Sequence, residues 1–177
     1  MQYSKHLDFE QLVEENKHKL FRICHIYAIS PQEPQDLFQE VLFQIWKSLD
    51  SFKEKSSIDT WMYRIAVNVC LRSKLKLEKR KTKTVRFDAI QWSIASEAIT
   101  EEDTEKYQLL RDCIVQLNES DTSIIVLYLE DVSYKDIAAI TGLTENHIAV
   151  KMKRIRKKLL ECMKPVSYTH LTLPTTP

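Results

Sequence analysis

A single glycine, Gly142, occurs in the 177 residues, and this scarcity restricts the folds open to the chain. Glycine reaches positive φ at little cost, whereas another residue loses roughly 1–2 kcal/mol there. A chain with almost no glycine can turn sharply in few places. We therefore predict a protein built from helices, with a tight turn at Gly142.

Amphipathic patterns flank Gly142 on both sides. Their apolar residues recur at three- and four-residue spacing, which is typical of the inner faces of two helices. Ala138 is small enough for the helices to cross closely, and the second helix is strongly basic. We predict a helix-turn-helix module that binds DNA, with Gly142 as its structural turn. Its inner face comprises Ile137, Ile140, Leu143, Ile148, Met152, Ile155 and Leu159.

Charge is segregated along the chain, although the net charge is only +1. Basic residues dominate 72–86 and 144–164, and acidic residues dominate 101–131 between them. Two basic segments divided by an acidic one indicate two separate contacts with a polyanion such as nucleic acid. The alternative is that these segments are solvated helix faces.

The cysteines and histidines give no sign of a metal or cofactor site. Cys24, Cys70, Cys113 and Cys162 are widely spaced, so we expect reduced core residues. The sequence shows no signal peptide and no apolar run of membrane-spanning length, which favours a cytoplasmic protein without membrane insertion. An enzyme is disfavoured, because no nucleophile motif is present and no further ligands accompany the acidic residues 36 and 40.

Breaks in periodicity divide the chain into two helical domains. We predict that the second helix starts at a capping box on Ser30, with Pro31 as its first helical residue. The last twelve residues change composition abruptly and resemble translated adapter sequence, so we treat them as a non-native tail. Residues 8–28 are predicted to form one helix or two short ones, and a later helix runs from 58 to 76 or beyond. The other predicted helices cover 31–49, 104–117, 119–129, 133–140 and 144–162. The predicted domains are 1–79 and 104–164, with a flexible linker at 80–103 and the tail at 165–177.

Several segments in order carry a family resemblance. Residues 36–46, 52–71 and 128–159 resemble, in turn, the polymerase-binding helix, the −10 segment and the −35 domain of a bacterial sigma factor. The type is the short extracytoplasmic-function (ECF) sigma factor of the sigma-70 family. The resemblance implies an all-α protein with two small domains joined by a linker. It also implies core RNA polymerase and promoter DNA as partners, and an anti-sigma factor as a further one.

The helix over 34–49 is apolar nearly all round. We assign its Leu37, Val41 and Ile45 stripe to the core, and a small domain cannot easily bury the remaining faces as well. The resemblance implies that this helix docks on a coiled coil of core polymerase. The residues expected to contact polymerase are Asp36, Gln39, Glu40 and Trp46.

Base opening requires a pocket, cations for phosphates and aromatic surface. The helix starting at Ile58 offers such groups, and its spacing makes Trp61 a core residue. The residues expected to bind −10 DNA are Tyr63, Arg64, Asn68 and Arg72.

The helix after Gly142 is expected to enter the major groove by its first turns. Thr144 is either a base-contacting residue or only an N-cap. An alanine, Ala149, stands where the family usually has lysine, and Lys151 stands where arginine is common. Distal cations would hold phosphate. The residues expected to bind −35 DNA are Thr144, Glu145, Asn146, His147, Lys151, Arg154 and Arg156.

We therefore expect a non-enzymatic sigma factor that binds core polymerase and recognises −10 and −35 elements. The alternative is a free-standing helix-turn-helix regulator. Such a regulator usually needs a dimer interface or a ligand domain, and the sequence offers neither convincingly.

Overall fold

The computed structural model describes the backbone of residues 2–80 and 101–164, and the side chains of 9–79 and 105–164. Over these ranges the chain forms helices and no strand, which confirms the predicted all-α class. Most of the predicted linker and the C-terminal tail lie outside the described residues. The helices are α1 (Gln2–Tyr27), α2 (Pro34–Ser48), α3 (Ile58–Arg80), α4 (Glu101–Val115), α5 (Glu119–Leu129), α6 (Tyr134–Thr141) and α7 (Glu145–Met163), with a 3-10 turn at Leu49–Ser51.

The first helical unit packs α1, α2 and α3 against one another. Leu37, Val41 and Ile45 are fully buried on α2, which confirms the core stripe predicted for that helix. Apolar residues of α1 and α3 recur at helical spacing and close the other sides of this core. The fully buried large side chains from those two helices are Leu20, Ile23 and Met62.

The start of α2 corrects the sequence-based prediction. The helix begins at Pro34, three residues after the expected Pro31, and its N-cap Glu33 makes no side-chain cap hydrogen bond. The Ser30–Pro31 peptide bond is cis and belongs to the preceding turn. The predicted preference for proline in the first helical turn therefore holds, but at Pro34.

The second unit comprises α4 to α7, and side-chain caps precede α5 and α6. Asn118 accepts a hydrogen bond from the Asp121 amide, and Ser133 accepts one from the Asp136 amide. Each cap satisfies a backbone donor that the first turn of a helix would otherwise leave unpaired. Helix α5 lies at the centre of this unit, and its residues 121–127 are all buried.

Two of the four cysteines correct the expectation that all are reduced. Cys113 on α4 and Cys162 near the end of α7 form a disulfide across a sequence separation of 49 residues. Cys24 and Cys70 are free and buried, as expected. No local sequence pattern predicts that Cys113 bonds to Cys162, because their proximity depends on how α4 and α7 pack.

Polar groups contribute to the contact between the two helical units. The buried Glu130, which follows α5, accepts hydrogen bonds from Arg22 Nε at 2.8 Å and Arg22 Nη2 at 2.5 Å. The Tyr27 hydroxyl lies 3.0 Å from the Ser123 Oγ, and both side chains are buried. These contacts join α1 of the first unit to α5 of the second.

No helix within the described residues is both long enough and apolar enough to cross a membrane.

His25 makes the stability of this arrangement sensitive to pH. It is buried on α1, and burial, followed by the charge of Arg111, lowers its pKa to about 3. An unfolded chain would protonate this group near its ordinary value of 6.5. Because the unfolded state then binds more protons, stability contributed by neutral His25 is complete above about pH 6.5 and falls as the pH drops toward 3.

We predict that His25→Gln flattens the pH dependence of thermal stability. Between about pH 7.5 and pH 5, the melting temperature of the parent should fall more than that of the variant, because only the parent buries a titratable imidazole. Calorimetry across that range measures the difference. His18→Gln, which changes an exposed histidine of the same helix, is the matched control. Parallel pH curves for the parent and His25→Gln would contradict the prediction.

Candidate polymerase and nucleic-acid surfaces

The outer face of α2 combines exposed aromatic rings with polar side chains. Phe43 is 54% exposed and Trp46 is 39% exposed, and their ring centroids lie 6.4 Å apart. Asp36, Gln39 and Glu40 are exposed on the same helix. Large exposed aromatic residues next to a polar strip are typical of a protein-binding surface. All four residues predicted to contact polymerase therefore lie at the surface of α2.

One face of α3 presents three residues of the predicted −10 group. Arg64, Asn68 and Arg72 are spaced four residues apart and are exposed, so they lie on adjacent turns of one face. The Arg72 Nε donates to the Asn68 carbonyl at 3.1 Å. Trp61, which we assigned to the core, is half-buried and packs against Phe52 with ring centroids 5.3 Å apart.

Tyr63 does not lie on that face. It is 5% exposed, and its hydroxyl donates to the Asn16 Oδ1 at 2.6 Å. Burial, with a contribution from Asp59, raises its pKa to about 12. Tyr63 is therefore a structural residue between α3 and α1, and the expectation that its ring is available for stacking on bases is wrong in this structure. The deciding partner, Asn16, lies 47 residues away in the sequence.

Helix α6 covers part of the α3 face. The Arg64 guanidinium donates to the Ala139 carbonyl on α6. The Thr60 hydroxyl, one turn earlier, donates to the Asp136 Oδ1 at 3.2 Å. In this arrangement α6, the first helix of the helix-turn-helix, pairs with Thr60 and Arg64 near the N-terminal end of the α3 face. Asn68 and Arg72 lie farther along α3.

The turn between α6 and α7 has the geometry that the lone glycine predicts. Gly142 adopts φ 76° and ψ 13°, and its amide donates to the Ala138 carbonyl at 2.9 Å. A Cβ atom built at Gly142 would meet no atom within 4 Å, so the barrier to substitution is conformational rather than steric. The left-handed residue ends α6 and directs the chain into α7.

The first turns of α7 present the predicted base-reading residues to solvent. Glu145, Asn146 and His147 are all exposed. The Thr144 Oγ1 accepts a hydrogen bond from the His147 amide at 3.3 Å, so Thr144 serves as the N-cap. The opposite face of α7 fills the core of the unit. Its buried residues are Ile148, Met152, Ile155 and Leu159.

Lys151, which was expected to bind −35 DNA, is directed inward in this structure. Its side chain is 13% exposed, and its Nζ donates to the Asp121 Oδ1 at 2.8 Å. Lys158 also donates to Asp121, at the Oδ2 atom and 3.2 Å. The sequence reasoning missed Asp121. The available signal was a carboxylate in the first turn of a helix that is otherwise strongly apolar.

Arg154 and Arg156, which were expected to hold phosphate, lie on the exposed face of α7. The Arg154 side chain is 59% exposed, with its Nη2 4.0 Å from the Asp121 Oδ1. Arg156 donates to the Tyr128 hydroxyl at 2.7 Å, and its guanidinium carbon lies 4.9 Å from the Tyr128 ring centroid. Tyr128 therefore orients Arg156 by a hydrogen bond and a cation–π contact. Among the described residues, no group of three His, Cys, Asp or Glu side chains could hold a metal ion.

The described residues form two all-helical units, with a helix-turn-helix in the second. The family model described as Sigma-70 region 2 matches residues 12–80, and the model described as Sigma-70, region 4 matches residues 107–159. The chain belongs to the sigma-70 family, in its extracytoplasmic-function group.

Characterised relatives agree with this membership. The chain is 29% identical over 147 residues to the ECF RNA polymerase sigma factor SigG of Mycobacterium tuberculosis, covering 83% of this chain and 39% of that protein. It is 27% identical over 169 residues to the ECF RNA polymerase sigma-E factor of Escherichia coli, covering 89% and 87% of the two chains. The chain thus spans about two fifths of SigG and most of the sigma-E factor.

Solved structures share the fold. The sigma factor RpoE of Bartonella quintana, in complex with the anti-sigma factor NepR, superposes with a TM-score of 0.74 at 22% identity, covering 90% of this chain and 98% of that one. CnrH, in complex with the cytosolic domain of CnrY, gives a TM-score of 0.59 at 19% identity, covering 86% and 85%. At these identities the likeness concerns the fold alone.

We predict that Gly142→Val lowers the free energy of unfolding by about 1–3 kcal/mol, because a β-branched residue is strained at positive φ. Gly142→Asn should cost less, because asparagine tolerates the left-handed region. Urea unfolding of both variants, monitored by circular dichroism, measures the effect. Equal stability of the valine and asparagine variants would show that the turn does not depend on the conformational freedom of residue 142.

Proposed function

We propose that this chain is a sigma factor that binds core RNA polymerase and directs initiation at specific promoters through −10 and −35 elements. The observation that carries the proposal is the distribution of three exposed surfaces over three helices of two units. Helix α2 carries the aromatic and polar surface, α3 carries a basic and amide-bearing face, and α7 carries the exposed polar N-terminus and distal arginines. Polymerase would do the chemistry, so the chain itself would not be an enzyme, and it would act in the cytoplasm.

Core polymerase is the proposed partner of α2. Phe43 and Trp46 supply apolar area that an isolated unit leaves in water, at a cost of roughly 25 cal/mol for each Å² that a partner could cover. Asp36 and Glu40, one turn apart, add negative charge that would select a surface carrying Lys or Arg.

The two DNA surfaces would divide the promoter between them. Glu145 and Asn146 at the start of α7 have the chemistry to read base edges, since a carboxylate accepts from the cytosine amino group and an amide pairs with adenine. Arg154 and Arg156 would hold phosphate. On α3, Asn68 and Arg72 would contact the opened −10 strand, where a cationic groove and polar groups suit single-stranded DNA.

Separation of the two units would have to precede full promoter recognition. Arg64 is one of the residues expected to bind −10 DNA, and here it donates to the Ala139 carbonyl instead. This contact also places α6 against α3. Core polymerase would hold the units apart and bring both DNA surfaces into use at high effective concentration. Conversely, an anti-sigma protein, such as the one bound to RpoE, would act by holding the units in an inactive arrangement.

We predict that the triple replacement of Asp36, Gln39 and Glu40 by alanine weakens binding to core polymerase at least tenfold, because it removes the charged strip of the docking face. Fluorescence anisotropy of labelled full-length protein titrated with core enzyme measures this. The matched control replaces Gln11, Glu14 and Glu15 on the exposed face of α1 by alanine. Unchanged affinity of the α2 variant would place the docking face elsewhere.

We predict that Asn68→Ala and Arg72→Ala each reduce open-complex formation without abolishing core binding. Permanganate reactivity of −10 thymines measures opening.

The free protein should bind duplex DNA weakly, with a Kd of about 10⁻⁴–10⁻⁶ M at physiological salt. Tight sequence-specific binding by the free protein, unaffected by core polymerase, would instead favour the free-standing regulator.

A further inference from the structure

Asp121 is a buried carboxylate that accepts hydrogen bonds from two lysines of α7, and the Arg154 Nη2 lies farther away, at 4.0 Å. Asp121 lies in the first turn of α5 and is fully buried. The Lys151 Nζ donates to its Oδ1 at 2.8 Å, and the Lys158 Nζ donates to its Oδ2 at 3.2 Å. The side-chain Nδ2 of Asn118 is a third donor, at 2.9 Å from the Asp121 Oδ2. A buried carboxylate is tolerated when paired and hydrogen-bonded in this way.

The spacing of these partners ties α7 to α5 at two points along its axis. Lys151 and Lys158 are seven residues apart, which places them on one side of the helix, two turns from each other. The apolar contacts of α7 are non-directional and alone would tolerate small rotations and translations of the helix. The hydrogen-bonded ion pairs are directional, so they fix the rotation at which α7 exposes its first turns.

The same contacts turn the Lys151 ammonium away from solvent and hold the Lys158 ammonium against the Asp121 carboxylate. The Lys151 side chain is 13% exposed and that of Lys158 is 45% exposed, whereas Arg154 between them is 59% exposed. Burial alone would raise the pKa of the Asp121 carboxyl, but the hydrogen bonds from Lys151 and Lys158 lower it below its ordinary value. The carboxylate therefore remains charged at neutral pH and holds both ammonium groups.

We infer that Asp121 is a positioning residue for DNA recognition: it orients α7 and withholds Lys151 and Lys158 from the phosphate backbone. Phosphate contacts add affinity for every sequence, whereas base contacts discriminate among sequences. An internal carboxylate that neutralises two cations thus favours discrimination over indiscriminate affinity. The inference deepens the proposed −35 recognition and rests on it.

Asp121→Asn tests the inference, because asparagine keeps the shape and one acceptor oxygen but removes the charge. Two freed lysines would neutralise about two further phosphates, and each steepens the dependence of log affinity on log salt by about 0.9. Affinity of the full-length variant for a 30-base-pair duplex of random sequence should therefore fall roughly tenfold more than that of the parent between about 50 and 200 mM NaCl. Fluorescence anisotropy measures both slopes.

Discrimination is measured separately, with the core-polymerase complex and a promoter library randomised at −35. Enrichment of preferred over other −35 sequences should be at least threefold lower for the Asp121→Asn complex than for the parent complex. The loss should affect every randomised position rather than a single one. Glu119→Gln, which removes an acid of the same turn that makes no ion pair with α7 in the described residues, is the matched control. An unchanged salt slope together with unchanged enrichment in Asp121→Asn would overturn the inference.

Loss of folding is separated from loss of positioning by two further variants. Lys151→Met with Lys158→Met removes both ammonium groups but leaves the Asp121 carboxylate buried without them, so its fold is first verified by circular-dichroism melting. In the folded variant, enrichment should fall at all positions while the salt slope stays at the parent value. The triple variant, which adds Asp121→Asn to the two lysine replacements, should also keep the salt slope of the parent. A steepened slope in the triple variant would show that the lysines are not its source and would contradict the inference. A change at a single −35 position in Lys151→Met alone would make Lys151 a base-contacting residue and would also overturn it.

The proposed function fails by a different result. If the parent gave no promoter-directed transcription with core polymerase, the sigma-factor assignment would fall. If the parent transcribed normally and Asp121→Asn left both the salt slope and the −35 enrichment unchanged, only the positioning role of Asp121 would be overturned.

Discussion

The arrangement of the two helical units depends on one buried carboxylate at their junction. Glu130 is 4% exposed, and an unpaired charge at that depth would be strongly unfavourable. Arg22 supplies two hydrogen bonds to it from α1, and Lys19 donates to the Glu130 carbonyl at 3.0 Å. If the units separated, water could solvate Glu130 and Arg22 instead. Polar contacts of this kind can be exchanged for contacts with water, so they oppose separation of the units less than apolar contacts of the same extent would.

Local chemistry explains what the sequence could predict. The helix starts at Asn118, Ser133 and Thr144 follow from side chains that accept amide hydrogens within three residues, so no tertiary information is needed. The turn at Gly142 follows from a backbone angle that glycine adopts at little cost. The buried stripe of α2 follows from helical periodicity alone. The helix-turn-helix and its solvent-facing first turn were therefore accessible from the sequence.

Pairings between distant residues account for what the sequence could not predict. Tyr63 is removed from the proposed stacking surface by Asn16, and Lys151 is turned inward by Asp121, 30 residues away. The Cys113–Cys162 disulfide likewise joins helices whose packing no local pattern specifies. For Ser30, the capping pattern was present, but the chain used Pro34 to begin α2. Side-chain patterns thus predict which face is polar more reliably than which polar groups are already paired.

The two buried carboxylates flank α5 and differ in the exposure of their partners. Asp121, at the start of the helix, holds Lys151 and Lys158 within one unit, and the side chains of these lysines are 13% and 45% exposed. Glu130, just after the end, holds Arg22, whose side chain is 54% exposed, across the junction of the units. Ions and water reach the second pair more readily, so it is the more easily screened and replaced. One central helix can therefore keep the DNA-reading helix in register while the contact between the units opens.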